Sequence, residues 1–471
     1  MPFILGASSS DSVYSISQSI RFNDTDNPYM QRTYGAGGNT DKWTVSFWMK
    51  RGNLGIEIGI FGSGNSNSNT TDIQFKTDDT LVFWDYQGSY LTRLITNQKF
   101  RDTTAWYHVV AVYDSGNDVS TERAKLFVNG ARVTDLGTET YPNKDQDAIA
   151  GSNVTIGFGR YISNSNRSFD GYLAEMHYVN GYAYGPEYFG EFNSSGIWIP
   201  KEYSESYGTG GFFVDGRDAS GSPVKLGDDE SGNGNDLTTS GLEANDQVLD
   251  SPTNNFCVMN LLNTHSSITL SNGNLQSTAS AFTGSGASIL LPSTGKWYAE
   301  FRYNNASTGE YPMLGVYNPT KTRLSTTGVN PGVTSGNKEI GFGADGRRFE
   351  NGTNTSSWGN SVGDNKIGAL AIDMTNKKIW FGHNNSGSFV WQASGDPSAG
   401  SNEANTIAFD DELVFGNSHY SGSIICWNFG QEGTFGGTET AQGNKDANGV
   451  GNFYYTVPTG YLALCTKNIG A

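Results

Sequence analysis

The sequence predicts an all-β protein built from antiparallel sandwiches, and three observations support this fold class. Short runs of β-branched and aromatic residues recur along the 471-residue chain and end at Asn, Asp, Ser or Gly, which is typical of strands and hairpins. The 61 glycines and the 13% share of aromatic residues fit many turns and many half-buried strands. No stretch keeps a helical apolar period for three turns, so helix should be scarce.

Two hairpins carry the strand pattern most clearly. The first runs from Trp106 to Gly130 and the second from Ile367 to Asn385. Each has an apolar strand that ends near an Asp, then a turn, then a returning strand. Both hairpins are therefore predicted to supply inner strands of two-sheet sandwiches. A further strand, Trp43–Lys50, has large side chains on both faces, so both of its faces should be partly covered.

The net charge of −17 and the sequence pI near 4.7 argue against a nucleic-acid partner, because such binding depends on basic clusters. The three cysteines are far apart, which disfavours a zinc site or a disulfide framework. Cys426 and Cys465 lie in apolar runs and are predicted to be buried. No run is long enough to span a membrane, and the first residues lack the basic start of a secretory signal, so no membrane insertion is expected.

The first part of the chain resembles the laminin-G-like, concanavalin A-like lectin/glucanase jelly roll over residues 15–190. Six pieces occur in the family's order: Ser19–Phe22, Trp43–Lys50, Trp106–Val110, Lys125–Gly130, Ile156-Gly157 and Phe169–Glu175. The resemblance implies a two-sheet sandwich. Members of this family bind glycans, proteins or calcium, or serve only as scaffolds.

The second part resembles the SPRY domain. The matching pieces are Gly295–Glu300, Leu314–Val316, Ile340–Gly343 with Asp345-Gly346, Ile367–Asp373, Lys378–Phe381 and Asn428–Gln431. The resemblance implies a bent β-sandwich that binds peptides through surface loops. The predicted fold is thus all-β, with two concanavalin A-like antiparallel β-sandwiches, or jelly rolls, joined by an ordered connector.

Three regions are predicted on these grounds. Residues 1–190 form the laminin-G-like jelly roll with an N-terminal lead-in. Residues 191–255 form a Gly/Asn/Asp-rich connector, with strands at Gly211–Val214 and Asp236–Thr239. Its scattered aromatic residues argue against a disordered linker. Residues 256–471 form the SPRY-like sandwich with a C-terminal extension.

The connector carries Asp229-Glu-Ser-Gly-Asn-Gly-Asn235 and ends in Asp250–Phe256, and the chain closes with Gly451–Asn468. With these pieces between and after its two sandwiches, the whole arrangement resembles virion-associated structural proteins of marine bacteriophages. That resemblance implies a non-enzymatic decoration or fibre-type adhesion component, displayed on the capsid exterior or the tail after synthesis in the host cytoplasm. Its partners would be other virion proteins and copies of itself, as a homotrimer or another homo-oligomer. One alternative is a receptor-binding tail-fibre protein that recognises a host surface glycan. A second is a glycan hydrolase.

Catalysis is not expected, because a glycan hydrolase needs two carboxylates that flank the scissile bond. The E-x-D-x-x-E spacing is absent, and Glu57, Glu175 and Glu300 are lone acids in predicted strands. The G-x-S-x-G sequence at Gly359–Gly363 and the G-x-G-x-x-G sequence at Gly341–Gly346 lack the following helix that their chemistry requires, and both are interpreted as turns.

Candidate binding residues lie in loops. No cofactor is predicted, and calcium is the most credible ion, because a hard cation takes carboxylate and amide oxygens; the candidate ligands are Asp228, Asp229, Asn233, Asn235 and Asp236. Asx turns explain the same residues without a metal. Glycan binding combines stacking rings with amides; the candidates are Tyr86, Tyr90, Tyr161, Asn164, Asn166 and Trp358. Chance juxtaposition in a chain rich in Tyr and Asn is the alternative.

Overall fold

The computed structural model describes residues 14–35, 38–162, 167–306, 312–385 and 387–470. Within these ranges the chain forms two compact units, an N-terminal unit that ends at Asn254 and a C-terminal unit that begins at Asn255. Both units are built almost entirely from antiparallel strands, which confirms the predicted all-β fold. The single α-helix of the described residues, α1 (Thr466–Ile469), has one turn, and no described helix is long and apolar enough to cross a membrane.

The described residues of the N-terminal unit form 18 strands. They are β1 (Ser19–Phe22), β2 (Tyr29–Thr33), β3 (Lys42–Arg51), β4 (Ile58–Ser66), β5 (Asn69–Phe75), β6 (Thr80–Gln87), β7 (Tyr90–Lys99), β8 (Tyr107–Asp114), β9 (Ala124–Val128), β10 (Ala131–Arg132), β11 (Leu136–Thr140), β12 (Thr155–Phe158), β13 (Gly171–Asn180), β14 (Gly190–Phe192), β15 (Trp198–Pro200), β16 (Phe212–Val214), β17 (Thr238–Ser240) and β18 (Gln247–Val248).

Two sheets of this unit face each other across one apolar core. The first has the order β10-β9-β8-β3-β13-β1-β18, with β16 also paired to β13, and the second has the order β11-β7-β6-β5-β4-β12-β2-β17. Strand β3 shows why the chain folds this way. Trp43, Val45, Phe47 and Met49 alternate into the core, whereas Trp48 lies on the outer face against a separate small cluster. The prediction that both faces of this strand are covered is confirmed.

The segment predicted as a connector, 191–255, supplies strands to both sheets of the N-terminal unit. Strand β16 pairs with β13, β18 pairs with β1, and β17 pairs with β2. Two ion pairs with low exposure fix its end: Arg21 with Asp246 at 3.1 Å and Lys50 with Asp250 at 2.7 Å. Because a buried charge needs a partner, these pairs hold the segment in a single position.

In the C-terminal unit, the part of the chain that the structure describes forms 15 strands. They are β19 (Met259–Thr264), β20 (Thr269–Ser271), β21 (Gln276–Ala279), β22 (Thr283–Ala287), β23 (Lys296–Asn305), β24 (Met313–Tyr317), β25 (Ile340–Gly343), β26 (Arg348–Glu350), β27 (Thr353–Thr355), β28 (Lys366–Asp373), β29 (Lys378–Asn385), β30 (Ser388–Trp391), β31 (Val414–His419), β32 (Ser423–Asn428) and β33 (Leu462–Ala463).

These strands form a second sandwich with its own core. One sheet has the order β19-β22-β31-β24-β25-β26-β27 and the other has the order β20-β21-β32-β23-β28-β29-β30, with β33 paired to β23 in parallel. Both predicted hairpins are confirmed, as β8–β9 in the N-terminal unit and β28–β29 in the C-terminal unit. Cys426 and Cys465 are buried, as predicted.

Candidate functional site

The candidate site is a cluster of aromatic rings around the β6–β7 hairpin, which we call the aromatic patch: Trp84, Tyr86, Tyr90 and Tyr161. Tyr86 and Tyr90 are direct cross-strand partners on either side of the turn, and their ring centroids are 4.8 Å apart. Gly88 makes this tight turn with a φ of +71°, a conformation that glycine adopts without steric cost. The Tyr90 ring is 37% exposed and Tyr86 is half-buried.

Trp84 forms the floor of the aromatic patch. Its ring centroid is 5.4 Å from that of Tyr90 and 6.4 Å from that of Tyr161. The indole Nε1 donates a hydrogen bond of 2.9 Å to Asp72 Oδ2, which also accepts one from the Thr70 hydroxyl at 2.6 Å. Asp72 is fully buried, and burial raises the pKa of its carboxyl to about 8. The indole is thus held in one orientation beneath the exposed ring.

Tyr161 reaches the patch because its loop lies directly on the second sheet. A Cβ atom at Gly59 would lie 2.1 Å from the backbone nitrogen of Tyr161, so only glycine permits this approach. The Arg167 guanidinium lies 5.3 Å from the Tyr161 ring centroid and pairs with Glu57 at 3.0 Å. The candidate residues Asn164 and Asn166 lie outside the described residues.

Arg93 gives the patch a half-buried donor group. Its guanidinium lies 4.2 Å from the Tyr90 ring centroid, a cation–π arrangement. Across the part of the chain that the structure describes, the Arg93 side chain makes no hydrogen bond or ion pair, and its Nε is buried. The terminal N–H donors of its guanidinium therefore have no protein acceptor among the described residues and lie beside the exposed Tyr90.

Trp358 belongs to the C-terminal unit and packs against that unit's core. Its ring is 5.7 Å from Phe342 and 6.3 Å from Phe381, in edge-to-face geometry, and Arg348 lies 5.9 Å above it. It is half-buried. These contacts account for its packing, and its role in glycan binding stays a prediction.

The predicted calcium ligands form a tight loop that is hydrogen-bonded both within itself and to the neighbouring segment 208–213. Asp229 accepts hydrogen bonds from the backbone of Phe213, Ser231 and Asn235. The amide nitrogens of Asn233 and Asn235 both donate to the carbonyl of Gly211.

The remaining predicted ligands belong to the same loop. Asp236 accepts a hydrogen bond from the Asp229 backbone, and burial is the main cause of a raised pKa for Asp228. No group of three or more His, Cys, Asp or Glu side chains is arranged for a metal ion in the described ranges. Calcium binding here stays a prediction.

The sequence named three of the four rings of the aromatic patch but missed Trp84 and Arg93. The missing signal was strand pairing. In β6, Trp84 alternates with core residues and so faces outward, and Arg93 is its direct partner on β7. A period-two reading of β6 places Trp84 on the outer face, but counting from the turn at Gly88 would not have found its partner, because the register shifts between Asp85 and Tyr86.

Residues 24–183 match the family model described as the concanavalin A-like lectin/glucanases superfamily. The aromatic patch lies entirely within this range. The N-terminal unit therefore contains a domain of the concanavalin A-like lectin/glucanase type. No curated protein matches the sequence of this chain.

Several solved structures resemble parts of the chain at low TM-scores. A heptameric SAP-like pentraxin from Limulus polyphemus is 18% identical, with 37% of this chain and 80% of that chain covered and a TM-score of 0.28. The SPRY domain of human HERC1 is 17% identical, and the match covers 34% of this chain and 91% of that domain, with a TM-score of 0.24.

Domain 4 of AbnA, a GH43 extracellular arabinanase from Geobacillus stearothermophilus solved with arabinotriose, is 18% identical. The match covers 39% of the present chain and 82% of the arabinanase domain, with a TM-score of 0.27. At these scores nothing about the function of the present chain follows from the three likenesses.

Proposed function

We propose that the N-terminal unit is a non-enzymatic glycan-binding module and that the aromatic patch is its binding surface. The observation that carries the proposal is Tyr90, a residue that is 37% exposed while its ring contacts Trp84, Tyr86 and Arg93. A ring that is already held in place loses little conformational freedom when a ligand stacks on it.

The chemistry of the aromatic patch suits a sugar ring. An aromatic face covers the apolar C–H face of a pyranose, while neighbouring polar groups bond the hydroxyls. Arg93 supplies N–H donors next to the Tyr90 ring, and these donors can bond hydroxyl or carboxylate oxygens of a sugar.

The proposal about where the protein acts is based on the sequence resemblance alone. We propose that the protein is a virion component on the capsid exterior or tail, where a glycan-binding module would attach the particle to its host. Antibodies against the purified protein should then label intact particles in electron micrographs. Labelling confined to the host cell interior would contradict this location.

Binding can be tested on a glycan array, followed by calorimetry on the strongest glycan. We expect the Tyr90→Ala variant to bind about tenfold more weakly, since losing one stacked ring costs about 1.4 kcal/mol. Arg93→Ala should weaken binding by a similar factor. The same samples, incubated with the glycan and analysed by mass spectrometry, should release no smaller sugars.

Tyr420→Ala provides the matched control, because Tyr420 is 42% exposed but belongs to the C-terminal unit. It should bind like the wild type. Equal affinity for wild type and Tyr90→Ala would remove the aromatic patch as the binding surface. Release of shorter sugars would instead make the protein a hydrolase.

A further inference from the structure

A second candidate site is a cavity on the outer side of the first sheet of the N-terminal unit, which we call the acidic cavity. Its volume is about 350 Å³. The side chains that define its chemistry are Tyr14, Glu175, His177, Tyr207, Phe213 and Asp215. None of these was selected as a binding residue from the sequence, and none belongs to the aromatic patch.

A β-bulge directs Glu175 into the acidic cavity. The pairing of β13 with β3 shifts register between Ala174 and His177, and Glu175 has a φ of +49°. Leu173 and Met176 lie in the core on either side of the bulge, so Ala174, Glu175 and His177 all face outward. In a regular strand Glu175 would alternate to the core side, and re-aiming one side chain is a common consequence of a bulge.

The acidic cavity holds more negative than positive charge. Four carboxylates line it, from Glu175, Glu202, Asp215 and Glu230. Among the described lining residues, Arg217 is the only lysine or arginine. Arg217 pairs with Asp215 and lies 3.6 Å from Glu230.

Glu175 and Glu202 have no ion pair with a lysine or arginine in the described part of the chain. Glu175 instead accepts a hydrogen bond of 2.8 Å from the Tyr14 hydroxyl, and His177 Nε2 lies 3.6 Å away. Burial, with a smaller contribution from Glu175, raises the pKa of Asp215. Both observations indicate that an added positive charge would be stabilised here.

Aromatic rings form the wall beside these carboxylates. The His177 and Phe213 rings are parallel with centroids 4.4 Å apart, and Tyr203 and Tyr207 are 4.7 Å apart. The Tyr207 hydroxyl is 2.9 Å from His177 Nδ1, which fixes both rings. Aromatic faces attract cations and also pack against alkyl groups.

We propose that the acidic cavity binds a small organic ammonium ion, with Glu175 and Glu202 facing its charge and the Tyr207 and Phe213 rings facing its alkyl part. The carboxylates select for the positive charge, and the rings select an organic cation over a hydrated metal ion. The proposal stands independently of glycan binding at the aromatic patch.

The test measures binding of n-butylammonium and of butan-1-ol, its neutral counterpart, to the full chain at neutral pH by ligand-observed NMR. We expect n-butylammonium to bind at least about tenfold more tightly than the alcohol. Glu175→Gln keeps the acceptor for the Tyr14 hydroxyl but removes the charge, and it should weaken n-butylammonium binding by about tenfold.

Two controls make the outcome decisive. Glu191→Gln changes an exposed carboxylate on β14 and should leave binding unchanged. Tyr90→Ala should also leave it unchanged, which separates this site from the aromatic patch. The proposal is overturned if n-butylammonium does not bind, if the alcohol binds equally well, or if folded Glu175→Gln binds like the wild type.

Discussion

Glu175 in the N-terminal sandwich and Glu300 in the C-terminal sandwich occupy equivalent kinds of position. Each is on a central strand, β13 between β3 and β1 and β23 between β28 and β32, and each points away from the core. Their surroundings differ. Glu175 borders an open cavity, whereas Glu300 is fully buried beneath the C-terminal segment around Tyr454.

Glu300 has a complete set of hydrogen-bond donors. Its carboxylate accepts bonds from the Tyr298 hydroxyl at 3.0 Å, the Asn428 amide at 3.0 Å, and the backbone N–H groups of Tyr454 and Tyr455 at 2.8 and 2.7 Å. The residue thus ties the C-terminal segment to the sheet. A buried acid that is fully bonded serves the fold, whereas one that borders a cavity with few partners is available to a ligand.

The largest expected change in stability is that caused by Glu300→Ala. Four donors would lose their acceptor inside the protein, so the free energy of unfolding should fall by about 3–5 kcal/mol. Urea denaturation measures the loss, and hydrogen exchange of a peptide that contains Tyr454 and Tyr455 should show faster exchange. Glu412→Ala, at an exposed position of the same unit, should change stability by less than about 0.5 kcal/mol. Equal effects of the two substitutions would break the comparison.

The second expected effect is a pH dependence carried by Glu300. Burial raises the pKa of its carboxyl from 4.5 to about 7, although its hydrogen bonds oppose the shift. Between these values the folded state keeps a proton that the unfolded state has lost. The free energy of unfolding therefore falls as pH rises through this window, by up to about 3 kcal/mol, and the contribution is fully present below pH 4.5.

Comparison with Glu300→Gln isolates this effect, because other buried groups titrate in both proteins. Burial lowers the pKa of His108 to about 3 and that of His419 to about 4. The folded protein therefore loses stability at these two residues as the pH falls below 6.5. Urea denaturation at pH 5 and pH 8 should show that the wild type loses stability relative to the variant as the pH rises. The same change in both proteins would show that Glu300 titrates as it does in the unfolded chain.

The smallest expected effect is on Glu175→Gln. The amide oxygen can still accept the Tyr14 hydrogen bond, and the cavity gives the side chain room, so stability should change by less than about 1 kcal/mol. Urea denaturation at neutral pH provides the measurement. A loss as large as that of Glu300→Ala would mean that Glu175 is a structural residue and would remove the contrast between the two sandwiches.

Much of the fold follows from local pattern in the sequence. The alternation in Trp43–Lys50 predicted the inner and outer faces of β3. The two predicted hairpins, whose first strands end at Asp114 and Asp373, are present as β8–β9 and β28–β29. The candidate rings Tyr86 and Tyr90 were recognisable because a turn separates them by only a few residues. In each case the deciding interactions join residues close in sequence, or depend only on which face of a strand a residue occupies.

The tertiary structure alone decided the sites, because their members come from distant parts of the chain. Tyr161 contacts Trp84 only because its loop packs over Gly59. Glu175 bonds to Tyr14 only because of a β-bulge that no local sequence pattern predicts. A bulge changes the side-chain alternation by one residue, so a strict period of two assigns Glu175 to the wrong face. The sequence by itself determined the strands and their apolar faces; strand pairing across the sheets decided which polar side chains share a cavity.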